Sequence, residues 1–137
     1  MSKDTDVEKR GILKKGMTTV VLIIDDDPIL GPVTVELLHV LGHRATWVDT
    51  YERGLDALRH ADGIAIVLLD LQLGPQRGES LIEDLRREGT ALPPLLIFSA
   101  QPMHELRHAA AATRAAGILQ KPCDAAAINN AIEAAVG

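Results

Sequence analysis

Aromatic side chains are nearly absent: one Trp, one Tyr and one Phe make up 2% of 137 residues. A stacking platform for single-stranded nucleic acid needs several such rings, so that mode of binding has no support. The core has to be built from Leu, Ile, Val and Ala instead. Cysteine occurs once, at Cys123, which excludes an internal disulfide and leaves no CxxC pair for zinc or redox chemistry. Basic charge is also short, with 14 Lys and Arg against 19 Asp and Glu, a net charge of -5 and no basic stripe. Binding nucleic acid by neutralising its phosphates is therefore not expected. No apolar run approaches the roughly 18 residues that cross a membrane, and the polar, mixed-charge start lacks the apolar stretch of a signal peptide. A soluble protein of the reducing cytoplasm is the expectation.

What the chain does contain is ordinary for one globular domain, 47% hydrophobic and 24% charged. Residues 1–17 show no period and read as a flexible tail, with Met17 an alternative start for the folded unit, residues 18–137. Within that unit short apolar runs alternate with amphipathic stretches, the pattern of repeated βα units around a parallel sheet covered on both faces. Strands are predicted near residues 19–24, 45–48, 64–69, 95–98 and 118–120. Asp27-Pro28 reads as an N-cap with Pro at the first helical position, opening a helix that ends at Gly42 and turns Leu30, Val33, Leu37, Leu38 and Leu41 inward. Asp49 or Thr50 caps a second helix that faces inward with Leu55 and Leu58. A loop over residues 72–78 leads to a third helix with Leu81, Ile82 and Leu85 on one face, running to Gly89. An Ala-rich fourth helix over about 103–116 is stopped by Gly117, and Asp124 caps the last.

Each of four apolar runs ends in a polar residue: Asp25 and Asp26 after the first, Asp70 after the third, Ser99 after the fourth and Lys121 after the fifth. In an open parallel sheet ligands bind at the carboxyl ends of the strands, so these groups are placed to converge on one crevice. Two carboxylates about 4 Å apart repel by roughly 4 kcal/mol at an effective dielectric of 20, so protons or a hard cation must compensate. Mg2+ suits an all-oxygen set of this kind.

The motifs Ile24-Asp25-Asp26-Asp27, Leu68-Leu69-Asp70-Leu71-Gln72-Leu73 with Gly78 eight residues after Asp70, Phe98-Ser99-Ala100 and Gln120-Lys121-Pro122 together resemble the receiver domain of bacterial two-component response regulators. The likeness covers about residues 18–137. It implies a flavodoxin-like (βα)5 doubly wound α/β sandwich with a five-stranded parallel sheet of order 2-1-3-4-5, an order the chemotaxis receiver already exemplifies. It implies that Asp70 accepts a phosphoryl group from a histidine kinase or histidine phosphotransfer protein, assisted by Lys121 and Ser99. It also implies Mg2+ held by Asp25, Asp26, Asp70 and the Gln72 carbonyl. Such a chain is an acceptor and not an enzyme, and it switches the binding of a downstream protein. The readout face would be the fourth helix, fifth strand and fifth helix, and the resemblance also allows a homodimer there. With the last residue at Gly137, output is expected through a bound partner or through a larger protein of which this is a piece. A pseudo-receiver that binds partners without phosphorylation is the alternative.

Three positions depart from the family pattern. Ile118 stands where an aromatic residue is usual, Gly74-Pro75 displaces the usual proline, and Cys123 replaces a common Phe and is expected to pack as a small hydrophobe. His104-Glu105-Leu106-Arg107-His108 formally matches the H-E-x-x-H zinc motif. A zinc site would need Glu133 as a third ligand, and the segment reads as exposed helix. His39, His43 and His60 read as surface or helix-end residues.

Overall fold

A computed structural model describes residues 19–137; the expected tail over 1–17 lies outside the described residues. The elements run β1 (Val20–Ile24), α1 (Leu30–Val40), β2 (Arg44–Val48), α2 (Tyr51–Arg59), β3 (Ile66–Leu69), β4 (Gln72–Leu73), β5 (Gln76–Arg77), α3 (Gly78–Arg87), β6 (Leu95–Ser99), α4 (Met103–Thr113), β7 (Gly117–Gln120) and α5 (Ala125–Val136). Five strands form one parallel sheet in the order β2-β1-β3-β6-β7. This is the expected 2-1-3-4-5 order once the two short strands are set aside, and the fold is the flavodoxin-like doubly wound sandwich. The chain order reverses between β1 and β3, which makes the crevice above their carboxyl ends the natural ligand site.

Alternation along each strand divides the core in two. Leu22 and Ile24 of β1, Leu69 of β3 and Ile97 of β6 join Leu58, Leu81, Leu85 and Leu106 of α2, α3 and α4 on one face. Val21, Ile23, Leu68 and Phe98 join Leu38, Ile128 and Ile132 of α1 and α5 on the other. Both faces of the central strands are thus buried, which is why their sequences are apolar without a break. Full burial of a Leu or Ile side chain contributes about 1.5–3 kcal/mol, so this double core holds the strand ends in place.

Several boundaries differ from the sequence reading. Asp27 does receive the Ile29 and Leu30 amides on Oδ1, each at 2.9 Å, but the helix begins only at Leu30. Leu30 and Val33 are exposed, while Leu38 is buried and Leu37 and Leu41 pack against the second core face as expected; Gly31 and Thr34 are buried beside them. The reason is Trp47: a Cβ on Gly31 would lie 2.2 Å from the indole, so the helix lies flat on the ring at its glycine and turns Leu30 and Val33 outward. β3 starts at Ile66, two residues later than expected. The loop over 72–78 contains an antiparallel ribbon, β4 against β5, turning at Gly74 with φ +64°. Thr50, and not Asp49, caps α2 by accepting the Arg53 amide at 3.0 Å, while Asp124 caps α5 as expected. α4 stops at Thr113 because Arg114 turns left-handed at φ 56°; Gly117 is the first residue of β7 and not a helix stop.

Candidate functional site

The parallel ladder continues one residue beyond three of the strands, and this places the charged groups. Asp25 donates its amide to the Val48 carbonyl at 3.1 Å, Asp70 to Ile24 at 2.9 Å, and Lys121 to Ser99 at 2.9 Å. Each polar side chain is thereby fixed in register just above the apolar sheet. The buried Asp25 accepts the Lys121 ammonium on Oδ2 at 2.6 Å and the Asp27 amide on Oδ1 at 2.9 Å. The same ammonium lies 3.5 Å from Asp70 Oδ2 and 4.8 Å from the centre of the Phe98 ring, whose face adds a cation–π attraction. Asp70 also accepts the Gln72 amide on Oδ1 at 3.2 Å. Asp26, at the solvent edge, accepts the Gly74 amide at 2.8 Å and so ties the β4–β5 turn to the site.

Asp25, Asp26 and Asp70 each offer an oxygen, and these oxygens lie within 4.8 Å of one another. One ammonium faces three carboxylates, so ionising all of them leaves negative charge in a largely buried place. Asp70 shows the strain of this arrangement: burial pushes its carboxyl up to about 6, against the pull of Lys121 and with added push from Asp25. Gly78 lets the next helix start against this group, since a Cβ there would come 2.3 Å from the Asp70 carbonyl. The donor set is all oxygen, carries excess negative charge and sits at a cleft edge, which fits a hard divalent cation such as Mg2+.

Of the residues singled out in the sequence, Asp25, Asp26, Asp70 and Lys121 are brought together. Ser99 ends β6, buried and opposite Gln120, and the exposed Gln72 lies two residues after Asp70. His104 and His108 are exposed on α4. Among the described residues no group of three or more His, Cys, Asp or Glu ligands includes them or Glu133, the acidic trio being the one such group. Glu133 is held by Asn129 on α5. Cys123 is half-buried against the second core face. His39 and His60 are exposed, and His43 meets Asn129 at 2.9 Å.

Sequence reasoning missed two further features of the site. Trp47 donates its indole N–H to the Asp25 carbonyl at 2.7 Å. Gln120 donates its amide to the Gln101 carbonyl at 3.0 Å, and Gln101 in turn donates to Gln72 Oε1 at 2.9 Å, a polar chain across the loop ends. The positions of Gln72 and Gln120 inside the quoted motifs were the available signal for the second. The first had none beyond a lone tryptophan on an edge strand.

Comparison with known proteins agrees with this geometry. The family described as response regulator receiver domain matches residues 21–133. Sensor protein TorS of Escherichia coli K12 is 28% identical over 101 residues, which is 74% of this chain and 11% of that protein. The chain thus spans about a ninth of the length of that relative. Among solved structures, a CheY-like receiver domain from Methylobacillus flagellatus is 26% identical with a TM-score of 0.71, covering 85% of this chain and 99% of the other. The receiver domain of a sensor histidine kinase from Pseudomonas aeruginosa PAO1, solved with magnesium in its active-site cleft, has a TM-score of 0.77 at 19% identity, covering 88% and 99%. With its sheet order, its acidic crevice and a match across most of its length, the chain belongs to the response regulator receiver domain family.

Proposed function

We propose that this receiver takes a phosphoryl group onto Asp70 in a Mg2+-dependent reaction and thereby switches the binding of a partner protein, acting as a phosphoryl acceptor and not as an enzyme. The observation that carries the reading is the convergence of Asp25, Asp26 and Asp70 within 4.8 Å around the Lys121 ammonium. Asp25, Asp26, Asp70 and the Gln72 carbonyl would hold the ion. Bound there, Mg2+ neutralises carboxylates and phosphoryl oxygens alike; the ion in the Pseudomonas receiver supports this choice.

In the transfer an Asp70 carboxylate oxygen forms a bond to phosphorus as the donor's P–N bond breaks, leaving an acyl phosphate on the protein and a histidine on the donor. Lys121 is placed to exchange its Asp70 contact for a phosphoryl oxygen while keeping Asp25. The Ser99 hydroxyl, on the neighbouring strand end, is the group assigned to bond the phosphoryl oxygen in the switched state. Positioning and charge neutralisation are the main contributions required of the protein. The phosphodonor is a histidine kinase or histidine phosphotransfer protein. Ile29, Leu30 and Val33, exposed on the chain that leaves the acidic pair, give it an apolar margin to rest on. A downstream protein reads the α4, β7 and α5 face.

The test is incubation with Mg2+ and acetyl phosphate followed by intact-mass measurement. One labile phosphoryl group is expected, absent without Mg2+ and absent in Asp70→Asn. No gain with acetyl phosphate or with a phosphorylated histidine donor would overturn the reading.

A further inference from the structure

The acidic pair is anchored from an edge strand that carries no ligand. Asp25 has two backbone hydrogen bonds to β2: its amide donates to the Val48 carbonyl at 3.1 Å, and its carbonyl accepts the Trp47 indole N–H at 2.7 Å. The second bond matters for geometry because the Asp25 amide makes the last ladder bond of β1 to β2, and the carbonyl beyond it is held by the indole. The peptide that the indole grips is the one joining Asp25 to Asp26, so its orientation sets where both carboxylates point. The indole itself has little freedom. One face lies directly against the backbone of Gly31, where a Cβ would meet Cε2 at 2.2 Å and Nε1 at 2.3 Å, and the ring packs among the residues of the second core face.

We infer that Trp47 is a positioning residue for the metal-binding acidic pair, acting through the Asp25–Asp26 peptide, and that Gly31 is the glycine that admits its ring. This rests on the Mg2+ site proposed above. A carbonyl left free to turn would let the Asp26 carboxylate leave the position set by Gly74, and a loosely held ligand binds more weakly because its ordering must be supplied on binding. The indole is also the only one in the chain. Its emission therefore reports the peptide next to the ion.

Two variants perturb the contact in different ways. Trp47→Phe keeps an aromatic ring and removes the N–H. Gly31→Ala keeps the N–H and displaces the ring that carries it. For both, circular dichroism is expected to show a folded protein, while calorimetric titration shows Mg2+ binding weakened by about three- to tenfold, the effect of one net hydrogen bond. The rate of phosphoryl uptake from acetyl phosphate should return toward the unaltered level as Mg2+ is raised, so the half-saturating Mg2+ concentration moves more than the plateau. In the unaltered protein Mg2+ should change Trp47 emission, and Asp26→Ala should abolish that response. A folded Trp47→Phe with Mg2+ affinity within twofold of the unaltered protein would overturn the inference while leaving the site intact. Absence of Mg2+ binding by the unaltered protein would instead remove the proposed site itself.

Discussion

Asp70→Asn should make the metal-free protein more stable at neutral pH. Asp70 is largely buried, and its carboxyl is raised from 3.8 to about 6, first by burial and then, against the pull of Lys121, by Asp25. A raised folded-state value means that the native protein holds the proton between about pH 4 and 6, where the unfolded chain has released it. Stability therefore falls as pH rises through that window, and above it the full penalty is present. Two pKa units at about 1.4 kcal/mol each set a ceiling of about 3 kcal/mol. Asparagine removes the charge and still accepts the Gln72 amide, while Lys121 keeps its 2.6 Å bond to Asp25. A gain of about 1–3 kcal/mol is expected at pH 7.5 in EDTA, which is roughly 4–10 °C in Tm for a domain of this size.

The assay is thermal or urea unfolding of both proteins at pH 4 and pH 7.5, with and without Mg2+. The gap should shrink to under about 1 kcal/mol at pH 4, where Asp70 of the folded protein is protonated and the penalty is nearly gone. Excess Mg2+ should also shrink it, because the ion binds and stabilises the native carboxylate form. An Asn variant that is no more stable at pH 7.5 in EDTA, or a gap of equal size at pH 4, would refute the account of the site as an electrostatically strained cluster.

Gly78→Ala should destabilise the domain by about 2 kcal/mol or more in urea unfolding, because its Cβ would press within 2.3 Å of the Asp70 backbone oxygen, which cannot turn aside as a side chain could. An unchanged urea midpoint would contradict this. Tyr51 is the only tyrosine, and burial, together with its hydrogen bond to the Asp84 carboxylate, pushes its hydroxyl up to about 12. Tyrosinate absorbance of the folded protein should have its midpoint near 12, against about 10 in urea, and stability should decline as pH rises from 10 toward 12. A native midpoint near 10 would show that the Tyr51–Asp84 bond is not made in solution. Tyr51→Phe is expected to cost only about 1 kcal/mol, since Asp84 retains Arg87 at 2.8 Å.

The strand ends were the most legible part of the sequence because both faces of the sheet are buried. Apolar runs such as residues 66–69 stop where the strand stops, so the first polar residue marks the site edge. The first turn of helix α1 departs from the sequence pattern for a complementary reason, while Leu37, Leu38 and Leu41 follow it. Its hydropathy pattern favours Leu30 and Val33, yet packing is set by the absence of a side chain at Gly31 beneath Trp47, and a close approach leaves no mark in an apolar count. The β4–β5 ribbon has two residues per strand, too few to show a period. The sequence pattern points to Gly117 as the stop of α4, but Arg114 adopts the left-handed turn that glycine usually supplies. Trp47 was out of reach because its bond goes to a backbone carbonyl, which no sequence motif records.

The substitution at Ile118 bears on how a signal leaves this site. Ile118 is half-buried and packs against the first core face with Ile97 as its strand partner. A branched aliphatic side chain held there has no polar tip to exchange between solvent and interior, so an in-and-out ring rotation is not available to it. What joins the same elements is polar instead: Gln120 at the end of β7 bonds the loop after β6 through Gln101, and Gln101 bonds Gln72, two residues from Asp70. These amides are largely open to water, so each bond is worth little in stability and can be exchanged at little cost. Phosphorylation at Asp70 would alter the loop that carries Gln72. The chain of amides gives that change a physical route to the loop before α4 and to β7, which is part of the proposed readout face.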